Sequence, residues 1–212
     1  MIRKNPFLEG GTDPCRDVRG AIISPAALGD DILMLPLACF MKERLDLTRV
    51  DFIGHTDYIH FTPGRTCVDS IRSVDLIDFH RLFVDEKDFM LDDKDPLITA
   101  FSRYEWIVSF LGADSEHFES NLIFTVNCSH SAEIIMLPLL PEEDFAGHIA
   151  EFYLQRLAAS ALHLSEGPAF DPQQALVHLR EDDDCRGRDL LAARGVAEYA
   201  DIVMVHPGSG GM

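Results

Sequence analysis

Several things are missing from this chain of 212 residues. No apolar run approaches the ~20 residues needed to cross a bilayer, so no transmembrane segment is expected. The opening MIRKNPFLEGG carries positive charge without an apolar stretch behind it, so no signal peptide is expected either. Basic residues are scarce: 18 Lys and Arg stand against 36 Asp and Glu, for a formal net charge of −18. Proteins that hold nucleic acid cluster Lys and Arg against phosphates, so nucleic acid is excluded as a partner. An anionic membrane surface is disfavoured unless a local basic face exists. There is no CxxC pair and no HExxH helix. The cysteines Cys15, Cys39, Cys67, Cys128 and Cys185 are odd in number and widely spaced. That pattern predicts reduced thiols and a cytoplasmic location rather than a disulfide framework or a zinc site. Internal repeats and low-complexity tracts are absent too.

What is present is ordinary globular material, 47% hydrophobic and 25% charged. Residues 1–18 are polar and punctuated by Pro6, Gly10, Gly11 and Pro14, and read as a loose leader. Ala21-Ile22-Ile23-Ser24 is a short apolar run of the kind buried in a parallel sheet. A helix is predicted from Ile32 to about Leu45, with Leu33, Leu37 and Phe40 on one face and Pro36 in its first turn or so. Further strands are predicted at Val50–Gly54, Val68–Val74, Trp106–Leu111 and Ile202–Val205, and helices at Pro96–Arg103, Asp144–Leu164 and up to Ala193 with Gly195 at its end. The runs Leu122–Val126 and Glu133–Leu137 fit either type. Alternating strands and helices predict an α/β fold, a Rossmann-like, parallel-rich sheet flanked by helices. Ligands on such sheets bind beyond the carboxyl ends of the strands.

Two segments occupy that position. Ala26-Ala27-Leu28-Gly29-Asp30-Asp31 follows the first strand. Gly29 would allow a tight turn and close ligand approach, and Asp30 would project a carboxylate into the crevice. An Asp before a helix is also a favoured N-cap and more often a cap than a catalyst, so the local pattern favours capping over a general base, and the two roles can compete between Asp30 and Asp31. At the other end, His206-Pro207-Gly208-Ser209-Gly210-Gly211 follows the last strand. Its glycines could present backbone N–H groups to a phosphate, although it is neither a Walker loop nor GxGxxG, and a flexible tail reads as well.

Taken together, the two segments resemble glycosyltransferase family nine, the ADP-heptose:lipopolysaccharide heptosyltransferases. The residues that carry the likeness are Ile22-Ile23-Ser24-Pro25-Ala26-Ala27-Leu28-Gly29-Asp30-Asp31-Ile32-Leu33 with Pro36 and Lys42, and Val203-Met204-Val205-His206-Pro207-Gly208-Ser209-Gly210-Gly211. The segment around His148 and Glu151 is similar as well. The resemblance implies the N-terminal half of a two-domain GT-B transferase: a loose leader at 1–18, an acceptor-side α/β domain at 19–199, and at 200–212 the first strand and glycine-rich turn of a donor-binding domain that would follow. It implies an inverting reaction without metal or other cofactor. The donor would be a nucleotide-sugar such as ADP-heptose, and the acceptor a glycan or lipid-linked sugar of a lipopolysaccharide core. Asp30 matches the proposed base, with Gly29 and Asp31 beside it; Gly208, Ser209 and Gly210 match the turn that contacts the donor diphosphate. Since the nucleotide contacts of the family lie beyond position 212, this chain alone is expected to be inactive, and self-association or a donor domain supplied in trans is expected. The alternatives are a non-catalytic Rossmann-like interaction module and a flavodoxin-like nucleotide-binding domain.

Other features read as structural. The acidic run Glu181–Asp184 fits a solvated helix start. Cys128 and His130 are close in sequence, which alone makes no catalytic dyad. Arg65 and Arg81 would suit anionic sugars, but exposed structural arginine explains them too.

Overall fold

The computed structural model describes residues 17–161, 175–197 and 203. Contacts divide the chain into two compact units, Met1–Val177 and His178–Met212. In the first unit, five parallel strands form one sheet: β1 (Arg19–Ile23), β2 (Arg49–Gly54), β3 (Ser70–Ser73), β4 (Trp106–Ser109) and β5 (Glu133–Met136), in the order β3-β2-β1-β4-β5. The register pairs Ile22 with Phe52 on one side and with Val108 on the other. Strand order reverses direction at β1, so the crevice of a doubly wound sheet opens between the ends of β1 and β4.

Side chains alternate across the sheet. Ile22, Val50, Phe52, Val108 and Ile135 pack on one face under α2 (Leu35–Arg44) and α6 (Ile149–Ser160). Ala21, Ile23, Ile53 and Ile107 pack on the other under α4 (Pro96–Phe101), α5 (Glu116–Asn127) and the 3-10 turn Phe79–Phe83. Both faces are covered, as a parallel sheet requires.

The predicted helix at Ile32–Leu45 is two helices, α1 (Leu28–Leu33) and α2, meeting at Met34. Pro36 explains the break: it has no N–H for the carbonyl four residues back, and it is tolerated only in the first turn of α2. The long helix expected from Asp144 begins only at Ile149, with His148 as N-cap accepting from the Ala150 N–H through Nδ1 at 3.2 Å. Leu122–Val126 lies inside α5, whose N-cap is Ser115. Preceding it, Gly112 takes φ +74°, and a Cβ there would stand 2.2 Å from Phe118 Cγ, so only glycine fits the end of this loop.

The cysteine expectation is corrected. Cys39 on α2 is bonded to Cys67, with Cα atoms 5.0 Å apart. The two lie 28 positions apart in sequence, and packing of α2 beside the segment that leads into β3 brings them together. Thiol chemistry therefore no longer argues for a reducing compartment; among the described residues Cys128 and Cys185 are free and exposed. Nearby, Lys42 reaches both oxygens of Asp69 at 2.8 Å, and Asp69 also accepts the Val50 N–H, so this lysine ties α2 to the sheet.

The second unit contains α7 (Glu181–Ala193), which buries none of its residues. Its acidic start is a capping arrangement, in which the Arg180 N–H donates to Asp183 at 3.0 Å. Gly195 follows its end at φ +78°, as a helix stop of this kind favours. Among the described residues no helix is long and apolar enough to cross a membrane.

Candidate functional site

The segment after β1 lies at the carboxyl edge of the sheet. Its backbone is held by the Ser24 N–H to Ile53 carbonyl bond at 2.9 Å, and next to it the Phe110 N–H donates to the Ile23 carbonyl at 2.9 Å. Leu28-Gly29-Asp30-Asp31 is not a loop but the first turn of α1. Gly29 accordingly has no positive φ and makes no tight turn. A Cβ on it would meet nothing within 4 Å, so space above that turn is open.

Neither aspartate is a cap. The N-cap is Ala27, and no side chain caps the helix. Asp30 is exposed in the first turn, and its carboxylate has no hydrogen-bond or ion-pair partner among the described residues. Its charge is felt by two buried neighbours. Tyr153 on α6 has its phenol pushed up to about 12, first by burial and then by Asp30. This phenol donates to the Leu139 carbonyl at 2.8 Å, and the ring meets Phe110 edge-on at 4.8 Å between centroids.

Asp31 points the other way and is 2% exposed. The Ser24 hydroxyl donates to its Oδ1 at 2.7 Å, while its Oδ2 is buried with no partner. Burial raises its pKa to about 6; the Asp30 charge adds to the rise, while the Ser24 bond and His55 oppose it. His55 follows β2 and lies 3.5 Å from Asp75. The alternation of exposed Asp30 and buried Asp31 could not be seen in sequence, because a loop and a helix turn place adjacent side chains differently.

Beyond β4 and β5, a cavity of about 290 Å³ is lined by Phe83, Phe110, Asp114, Ser115 and Leu139. Phe110 is shared between this cavity and the Tyr153 contact. The sequence signal for it was limited to Gly112.

Other candidates are accounted for structurally. Arg81 holds Asp95 with two bonds of 2.9 and 2.7 Å and reaches the Met90 carbonyl, so it is engaged. Asp95, 6% exposed, also caps α4. Arg65 Nη1 reaches the Phe61 carbonyl at 3.4 Å. His130 places Nε2 2.7 Å from the Tyr104 carbonyl, which makes that nitrogen the donor in the neutral ring, and Nδ1 2.8 Å from the Ser129 hydroxyl. Both nitrogens are occupied away from Cys128. Gly208, Ser209 and Gly210, like the rest of the terminal turn, lie outside the described residues; of the predicted strand Ile202–Val205 only Val203 is described, and it is exposed.

No family model matches the chain, and no curated protein matches it. Among solved structures it is similar to a glycosyl transferase of family 9 from Veillonella parvula, with a TM-score of 0.51 and 12% identity over 86% of this chain and 51% of that one. It also aligns with E. coli heptosyltransferase WaaC, solved with ADP, at a TM-score of 0.42 and 14% identity over 73% of this chain and 50% of that one. The chain thus has the Rossmann-like α/β fold found in a family 9 glycosyltransferase, and spans about half the length of the structures it matches.

Proposed function

We propose that this chain is the acceptor-side domain of an inverting, metal-independent glycosyltransferase of the heptosyltransferase type. Working with a donor-side domain, it would move a sugar from a nucleotide-diphosphate donor such as ADP-heptose to a glycan or lipopolysaccharide-core acceptor. The observation that carries this reading is Asp30: an exposed carboxylate without a protein partner, at the carboxyl edge of the central strand, that does not cap its helix. A carboxylate with no structural task at the ligand edge of such a sheet is placed to serve a ligand.

In the proposed reaction Asp30 accepts the proton of the acceptor hydroxyl. The hydroxyl oxygen bonds to the anomeric carbon from the face opposite the leaving group. The bond from that carbon to the phosphate oxygen breaks, and the nucleoside diphosphate departs with the electron pair. Gly29 leaves room for the acceptor, Asp31 lies behind it, and Gly208, Ser209 and Gly210 would offer backbone N–H groups to the diphosphate. The fold match to a family 9 transferase and the resemblance of the two terminal motifs support this reading.

Asp30→Asn in a protein carrying both halves is the test. Turnover, followed as nucleoside diphosphate release, is expected to fall ~10²–10⁴-fold, the usual contribution of a general base. Donor affinity and thermal stability are expected to stay at wild-type values. Wild-type turnover in the Asn variant, with intact stability, would show that Asp30 is not the base; no turnover in the wild-type two-domain protein would return the chain to the non-catalytic reading.

A further inference from the structure

The second feature without an assignment lies on the opposite side of β2 from β1. A cavity of about 400 Å³ opens between the end of β3 and α4, and shares no residue with the Asp30 segment. Three cations line it, Arg72, Lys94 and Arg103, against one acid, Asp78. In a chain with twice as many acids as bases, this is an unusual local excess of positive charge.

Of these cationic groups, only Nη1 of Arg72 is engaged by the described residues. Arg72 is fixed in place by Nη1, which donates to the Ala100 carbonyl at 2.6 Å and lies 3.3 Å from the Tyr104 hydroxyl. Its Nε and Nη2 have no acceptor among the described residues. Lys94 and Arg103 are exposed and likewise have neither hydrogen-bond nor ion-pair partners there. By contrast, Arg81, Lys42 and Lys87 are each paired with an aspartate. Arg72 therefore presents a preset edge of its guanidinium, and planar forks of this kind suit phosphate.

Spacing narrows the ligand. Lys94 precedes α4 and Arg103 follows it, and a six-residue helix is about 9 Å long. Linked phosphates several ångströms long would let Arg72, Lys94 and Arg103 each take a separate phosphate oxygen, which a single phosphate offers less well. Leu76, 87% exposed, and Leu97 supply an apolar wall. We propose that this cavity is a binding site for a soluble ligand carrying two or more phosphate groups, with Arg72 as the fixed anchor and Lys94 and Arg103 as the end contacts.

Inorganic tripolyphosphate is the probe, titrated into the full chain by calorimetry, with orthophosphate beside it. Tripolyphosphate is expected to bind saturably and more tightly than orthophosphate. Lys94→Gln and Arg103→Gln are each expected to weaken it about threefold, and the double variant about tenfold, as exposed ion pairs usually contribute. Arg72 is left intact because it also holds Tyr104. Lys87→Gln, outside the cavity, is expected to bind like wild type, and Trp106 fluorescence melts check that every variant folds. Absence of tripolyphosphate binding at millimolar concentration overturns the proposal. So does equal weakening by Lys87→Gln, which would mark diffuse charge, or undiminished binding in the double variant. Binding to phosphatidylglycerol vesicles without binding of tripolyphosphate would make the ligand a lipid surface and overturn it as well.

Discussion

Replacing Asp31 by asparagine separates burial of a charge from every other property of the residue. The carboxyl group is 2% exposed, and its pKa rises from 3.8 to about 6, chiefly because burial disfavours the anion. The folded state therefore holds this proton more tightly than the unfolded chain does. The stability linked to that proton is fully present below pH 3.8 and is lost as pH rises through about 6. The difference corresponds to about 3 kcal/mol once both states are ionised. Asparagine keeps the shape and can still accept the Ser24 hydroxyl, but never ionises. Its amide nitrogen replaces an oxygen that already lacks a partner, a cost that does not depend on pH. Urea unfolding followed by Trp106 fluorescence, for wild type and Asp31→Asn between pH 4 and pH 8, measures the difference directly. The stability of the variant relative to wild type should climb by about 2.5 kcal/mol across that range, most steeply between pH 4 and 6, and level off above pH 7. A relative stability that is flat with pH would refute the reasoning, whatever its absolute offset.

Two further outcomes test the fold around the site. Gly112→Ala should destabilise by about 2–4 kcal/mol, since the residue holds φ +74° and a Cβ would collide with the Phe118 ring; a urea midpoint within error of wild type would show that the loop can relax. Reduction should cost the oxidised protein about 3 kcal/mol, as expected for a cross-link spanning 28 positions. Cys39→Ser should remove the response to reductant, and identical urea curves for wild type with and without dithiothreitol would refute the cross-link.

Much of the frame is local information. The apolar runs at Ala21–Ser24, Val50–Gly54 and Trp106–Leu111 have no other place than a doubly covered parallel sheet, and the observed strands coincide with them to within a few residues. Pro36 is a constraint the sequence carries by itself, because a ring without an N–H fits only the first turn of a helix, although the single helix expected from Ile32 misses the consequence that α2 must start at Leu35. Gly112 and Gly195 were visible as element ends for the same kind of reason. The position of Asp30 after the first strand, and with it the edge of the sheet where a ligand belongs, also follows from local pattern plus the handedness of βαβ units.

Only tertiary structure decided what each side chain does there. Asp30 and Asp31 are adjacent and chemically identical, yet one is exposed and unpartnered while the other is buried against Ser24. A helix turn rotates consecutive residues by about 100°, and the packing of α1 on the sheet edge sets which direction is inward. Likewise the sequence singles out Arg81 and not Arg72, but Asp95 and the Met90 carbonyl occupy the fork of the first, while the second keeps an edge free beside Lys94 and Arg103. The bond between Cys39 and Cys67 is of the same kind. Their separation along the chain carries no sign of contact, and only the packing of α2 beside the segment that leads into β3 brings the two sulfurs together.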